Sequence, residues 1–258
     1  MAEGVKIKKV YFYNNKKQKL AGILEESNIK KEEVVIMVHG YSANKDVGSI
    51  RQIAEELSRK NINSFRIDLD GCGESEGKFE EQTITSSIND TISAIELMKK
   101  EGYTKIDLFG LSAGGLTVMA TALKYPEINK IALGAPVSDY PSQRLKTKGQ
   151  KYIDEWREKG YNYRESWDGR KIRVNYSFYE DSKNYVMYDK VKNIKCPVLI
   201  VHGTADDKVD LEDSKKVIKG FPDGKLIILK DADHFLRINE DRIKSIKLFV
   251  DWFEGKIK

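Results

Sequence analysis

The sequence predicts an α/β architecture: a mostly parallel, twisted sheet flanked by helices. Three observations carry that expectation. Short apolar runs bounded by turn residues recur along the 258-residue chain. Helical stripes of apolar residues alternate with most of them, which implies βαβ units. One long stretch, residues 138–189, breaks that rhythm and reads as an insertion.

Taken in order, the chain opens with Val5 to Tyr13 and Lys19 to Leu24, which look like an antiparallel hairpin along a sheet edge. Val34–Val38, Ser64–Ile67, Ile106–Phe109, Ile131–Leu133, Val198–Val201 and Leu226–Leu229 follow as strand candidates. Near-continuous apolar runs of this length suit strands covered on both faces. Between them, Ser49 with Gln52 forms a capping-box signature ahead of Ile50, Ile53, Ala54 and Leu57 on one helix face. Ile84, Ile88, Ile92, Ile95 and Met98 make a second stripe, and Leu116, Met119, Ala120 and Leu123 a third. Ile243, Ile246, Phe249, Val250 and Phe253 make the last. These stripes are read as core faces.

Residues 138–189 hold 11 of the 25 aromatic residues, including Trp156, Tyr163, Trp167 and Phe178. An insertion this long between two strands far exceeds an ordinary connection. It reads either as a decorative subdomain with its own aromatic core or as a cap roofing a site at the strand ends. The expected division is a core of 1–137 and 190–258 with a cap at 138–189.

Composition narrows the function. Charged residues make up 33% of the chain and the formal charge is +5, spread out rather than gathered into a basic tract. Pairs such as Lys8-Lys9 and Lys215-Lys216 read as solvated faces, so nucleic acid is not an expected partner. Cys72 and Cys196 form no CxxC or metal spacing and read as reduced thiols of a cytoplasmic protein. No signal-peptide h-region or membrane-length apolar run is present, so no integral membrane association is expected. Gly71, Gly73 and Gly77 give GxGxxxG rather than the dinucleotide pattern, with no helix opening at once.

The chemistry centres on Gly110-Leu111-Ser112-Ala113-Gly114, a G-x-S-x-G pattern that follows a predicted strand and opens a helix. Glycine and serine are ordinary turn residues, but this context is the one a nucleophile elbow demands. A serine nucleophile needs a base. The chain has three histidines, at positions 39, 202 and 234. The elbow architecture puts the acid and then the histidine after the serine. His39 comes too early, and His202 precedes every acid of its own loop, which leaves His234. The acid that orients its imidazole then lies in His202 to Val209, where Asp206 and Asp207 compete, with Asp210 further on. Asp206 is preferred.

These motifs give the chain a resemblance to the α/β-hydrolase superfamily. Within it, the chain is similar to capped serine esterases, which include feruloyl (cinnamoyl) esterases and monoacylglycerol-lipase-like hydrolases. The resemblance spans nearly the whole chain. It rests on His39-Gly40-Tyr41-Ser42-Ala43-Asn44-Lys45, on Asp68-Leu69-Asp70-Gly71-Cys72-Gly73-Glu74-Ser75-Glu76-Gly77, on the elbow, and on His202-Gly203-x-x-Asp206-x-x-Val209 with Asp233-His234. It implies an α/β-hydrolase fold, the acid at Asp206, and an oxyanion hole made by the backbone N–H groups of Tyr41 and Ala113. It implies no metal and no cofactor. Two departures stand out: Ala113 is small where relatives carry Gln or Met, and Asp-Gly-Cys-Gly replaces Arg-Gly-His-Gly or Tyr-Gly-Ser-Gly. Either could widen the site or alter its acyl preference.

The expected function is a serine carboxylic-ester hydrolase that works through an acyl-enzyme on small or aromatic, feruloyl-type esters. The alternatives are a monoacylglycerol-lipase or lysophospholipase-like hydrolase, and a catalytically silent ligand-binding protein of the same fold. The expected partner is a small-molecule ester, with a homodimer left open.

Overall fold

Runs of β-branched and aromatic side chains become strands here because two helical layers bury them from both sides. A computed structural model describes residues 5–27, 32–234 and 239–257. Its strands are β1 (Lys6–Tyr13), β2 (Lys19–Glu26), β3 (Glu33–Val38), β4 (Asn63–Ile67), β5 (Lys105–Leu111), β6 (Ile131–Gly134), β7 (Tyr161–Glu165), β8 (Lys171–Asn175), β9 (Val198–Gly203) and β10 (Gly224–Leu229). Its helices are α1 (Gly48–Arg59), α2 (Ile84–Lys100), α3 (Ala113–Lys124), α4 (Tyr140–Lys159), α5 (Tyr176–Ser182), α6 (Leu211–Val217) and α7 (Asn239–Phe253).

Among the described residues the main sheet runs β1-β2-β4-β3-β5-β6-β9-β10. The first two strands pair antiparallel, and β2 meets β4 antiparallel. From β4 onward every pairing is parallel. This is the α/β-hydrolase fold. Val34, Ile36 and Val38 point into one hydrophobic layer with α2 and α3, while Val35 and Met37 point into the other with α1 and α7. The period-2 alternation of a strand therefore feeds two cores at once.

The connections fix where a site can form. From β3 the chain passes to β4 on one side, then crosses to β5 on the other. Such a reversal opens a crevice beyond the carboxyl ends of the strands, where ligands of open α/β sheets bind. The segments after β3 and β5 carry Tyr41 and Ser112.

Two local expectations fail. Ser49 and Gln52 do not cap α1: the helix starts at Gly48 behind Val47, and no side chain bonds its first turn. Ser49 already lies inside the helix, where its hydroxyl is past the capping position. The capping box instead opens α2, where the Thr83 side chain accepts from the Ser86 amide and the Ser86 side chain returns the contact. Ile243, expected on the buried stripe of α7, is 58% exposed.

Between β6 and β9 the chain forms α4, the antiparallel hairpin β7–β8 and α5. The hairpin stands apart from the main sheet. Asp139 caps α4 by accepting from the Ser142 amide, and the helix breaks at Gly149. Trp156 is fully buried there, and its indole N–H donates to Val174 O at 3.0 Å. Among the described residues no helix is long and apolar enough to cross a membrane.

Candidate active site

Strand β5 ends in a turn that only small neighbours allow. A Cβ on Gly110 would sit 2.6 Å from Gly114 O, and one on Gly114 would sit 2.5 Å from both Val38 O and His39 O. The two glycines of G-x-S-x-G are thus the price of packing strand, turn and helix this closely. Ser112 between them has φ 53° and ψ −118°. A non-glycine residue there is strained, and such strain concentrates at functional sites. The turn is pinned by Ser112 N–H donating to Gly134 O at 2.9 Å and Val137 N–H donating to Ser112 O at 3.0 Å.

Ser112 Oγ lies 3.1 Å from His234 Nε2, and His234 Nδ1 lies 2.7 Å from Asp206 Oδ2. The His234 side chain is 9% exposed and that of Asp206 1%. With Nδ1–H donating to the carboxylate, Nε2 is left as an acceptor facing the serine hydroxyl. Hydrogen bonds hold the two loops together: Ala205 N–H donates to Ala232 O at 3.0 Å, and Asp231 N–H to Thr204 Oγ1 at 2.7 Å.

Asp206 is held from every side. Its Oδ1 accepts from the amides of Lys208 and Val209, each at 2.8 Å. Its Oδ2 accepts from His234 and also lies 3.1 Å from His202 Nε2. Burial pushes this carboxyl up, but hydrogen bonds from His202 and His234 outweigh burial and hold it well below the usual carboxylate range. Asp207 points instead to the Lys208 ammonium, and Asp210 caps α6.

His202 is therefore a member of the cluster that ordering arguments set aside. Its Nδ1 lies 2.7 Å from Ser214 Oγ, and its Nε2 lies 3.1 Å from Val209 O as well as from Asp206. Ser214 donating to Nδ1 makes Nε2 the protonated nitrogen. The spacing His202-x-x-x-Asp206 was the available signal. His39, by contrast, is enclosed: its Nδ1–H donates to Gly40 O at 2.8 Å and its Nε2 accepts from Leu69 N–H at 3.2 Å. Burial keeps it neutral.

The segment expected to supply an oxyanion donor packs against the elbow. A Cβ on Gly40 would lie 3.4 Å from Ser112 Cβ, so the Gly40–Tyr41 peptide runs beside the serine. Ala113 is the first residue of α3, where an α-helix leaves its amides without intrahelical acceptors. The Tyr41 segment is tied down by an ion pair the sequence motifs concealed. Lys45 Nζ, 3% exposed, lies 2.8 Å from Asp68 Oδ2 and 2.7 Å from Glu74 Oε2, and Lys45 N–H donates to Asp68 Oδ1 at 2.7 Å. The two motif loops, 39–45 and 68–77, are thereby tied to each other. Burial pushes the Cys72 thiol in the second loop up to about 12, so it stays protonated.

The chain is similar to several known hydrolases. The model of the prolyl oligopeptidase family matches residues 49–258. The chain is 26% identical over 218 residues to the palmitoyl-protein thioesterase ABHD10, mitochondrial, of Mus musculus, covering 80% of this chain and 70% of that one. It is 30% identical over 177 residues to the human (Homo sapiens) serine hydrolase BPHL, covering 59% of each. Among solved structures, Est1E from Butyrivibrio proteoclasticus with bound ferulic acid superposes with a TM-score of 0.80 at 26% identity, over 93% of this chain and 97% of that one. Mouse alpha/beta hydrolase domain-containing protein 10 superposes with a TM-score of 0.81 at 21% identity, over 97% and 100%, a likeness of fold.

Proposed function

The chain belongs to the prolyl oligopeptidase family and is an α/β-hydrolase, and on that premise we propose that it is a serine carboxylic-ester hydrolase working through an acyl-enzyme. The observation that carries this reading is the unbroken relay from Ser112 Oγ through the His234 ring to Asp206.

In this reading Ser112 Oγ attacks the ester carbonyl carbon while His234 Nε2 takes its proton. Asp206 keeps the imidazole in the right tautomer and stabilises the imidazolium. The Tyr41 and Ala113 amides take the developing oxyanion, with the positive N-terminus of α3 beneath it. His234 then gives its proton to the leaving alcohol. Water, deprotonated by the same ring, attacks the acyl-enzyme and releases the acid and the serine.

Residues 138–189 are proposed as the cap over this site, inserted into a core of 1–137 and 190–258. A cleft of about 540 Å³ along the boundary, lined by Ser142, Gln143, Asp206 and Val209, supports that division. Esters of small or aromatic acids, feruloyl-type included, come first as substrates, in keeping with the aromatic residues of the cap and the ferulic acid bound to Est1E. Thioesters form a second class, suggested by the thioesterase named among the relatives. Their acyl carbon is open to the same attack. The two free thiols, Cys72 and Cys196, favour a cytoplasmic location.

The test is a hydrolysis panel of short-acyl, long-acyl and hydroxycinnamoyl esters with an acyl thioester, alongside fluorophosphonate labelling. Covalent labelling that disappears in Ser112→Ala is the expected result. Full turnover by Ser112→Ala would refute the mechanism. Turnover confined to long chains would discard the feruloyl assignment.

A further inference from the structure

Arg164, on β7, turns a guanidinium toward Tyr41 and Tyr140. Its Cζ lies 4.4 Å from the centroid of the Trp156 ring, 5.7 Å from that of Tyr41 and 5.9 Å from that of Tyr140. Nη1 donates to the Tyr140 hydroxyl. The other edge of the group is different. Nε and Nη2, the parallel pair that grips a carboxylate, are shielded from solvent and have no acceptor among the described residues. The Tyr41 hydroxyl and Arg144 Nε are shielded and lack partners in the same way. Arg144 packs on the Tyr140 ring, its Cζ 4.9 Å from the centroid.

This arrangement is electrostatically lopsided. Two guanidiniums converge on tyrosines, and a guanidinium keeps its proton in a protein. The groups acting most on Arg164 are Tyr140, Tyr41 and Tyr152. Burial, then Tyr140, pushes the Tyr41 hydroxyl up, so it is no counter-charge. The Trp156 face relieves part of the cost of burying the cation, but it engages the plane of the guanidinium and leaves the edge unmatched. An isolated buried charge is unfavourable unless something pairs with it.

We propose that the Nε/Nη2 edge of Arg164, with Arg144 and the Tyr41 hydroxyl, forms a carboxylate-binding subsite, so that the preferred substrate is an ester whose acid half carries a second, free carboxylate. The inference rests on the serine-hydrolase reading for the position of the scissile bond. Tyr41 joins the two ends: its main chain runs beside Ser112 and its ring lies under Arg164. Under this proposal the β7–β8 hairpin shifts on binding to admit the carboxylate to the shielded edge. That hairpin region meets the Tyr41 turn through Trp167 N–H donating to Ser42 Oγ at 3.3 Å. The bound carboxylate replaces solvent as the partner of the fork, which orients the acid half and favours a monoester of a diacid over its neutral counterpart.

Two matched pairs of probes test this: methyl 4-carboxycinnamate against methyl 4-methylcinnamate, and monomethyl adipate against methyl hexanoate. Binding is measured by calorimetry on Ser112→Ala, which removes hydrolysis from the readout. The charged member of at least one pair should bind tenfold or more tightly, and the margin should shrink with salt. In Ser112→Ala/Arg164→Met the ratio should fall toward one. Should that variant fail to melt cooperatively, Arg164→Lys serves instead: it keeps the charge, loses the fork, and should still lower the ratio. Neutral members binding as well in both pairs, or a ratio unchanged by the Arg164 substitution that folds, overturns the subsite. Fluorophosphonate labelling of the wild-type chain reports separately on Ser112. Labelling without charge preference discards the subsite and leaves the serine; charge preference with full turnover by Ser112→Ala does the reverse.

Discussion

Two polar clusters of the molecule are built in opposite ways. Around Asp206 each carboxylate oxygen accepts two hydrogen-bond donors, and the neighbouring His202 is held by Ser214 on its other nitrogen. Around Arg164 the donors outnumber the acceptors, and buried N–H groups point at no partner among the described residues. The first arrangement suits chemistry, because groups already oriented cost no reorganisation as charge develops. The second suits recognition, because a buried donor without a partner favours the ligand that supplies one.

That contrast can be broken first at its rigid end. Ser112→Ala should lower kcat/KM for a p-nitrophenyl ester by at least about 10⁴-fold with the fold intact by circular dichroism. Asp206→Asn keeps the shape but loses the charge and the tautomer control, so steady-state kinetics should show a kcat lower by roughly 10³- to 10⁴-fold.

His202 sharpens the picture, since it touches the acid and not the substrate. A hydrogen bond to a charged group contributes about 1.5–3 kcal/mol, so His202→Leu should lower kcat by about 10- to 100-fold with little change in KM. His202→Gln, which can again offer an N–H to Asp206, should recover part of that loss. Equal losses in both variants would mean that His202 only fills space.

The smallest effect is on stability. Asp206 has a folded pKa held below its unfolded value. Its contribution is fully present above about pH 4 and is lost as pH falls through the range below. Melting temperatures between pH 5 and pH 2.5 should therefore fall more steeply for the wild-type chain than for Asp206→Asn.

Much of the rigid cluster was legible in sequence, and the reasons are local. Val34–Val38 and Val198–Val201 declare themselves as strands because residues covered on both faces must be apolar in succession. Their ends then place His39 and His202, and with three histidines in the chain the order of residues isolates His234. Other features depend on distances in space. His202 reaches Asp206 only because the loop after β9 folds back on its own strand, so the four-residue spacing between them becomes informative once that fold-back is known. Arg164 looks like one more basic residue until the hairpin carries it under Trp156 and over Tyr41. The misread cap at Ser49 has a similar origin, because a capping box works only in register with the first helical turn, and the N-cap is Val47, two residues earlier.

The backbone at Ser112 has a consequence of its own. A side chain at φ 53° holds the chain in a conformation that glycine adopts without protest. Ser112→Gly should therefore yield a protein that is inert yet harder to melt, by something on the order of 1 kcal/mol. Selection for folding alone would have put a glycine at this position; the serine is kept against the preference of its own backbone.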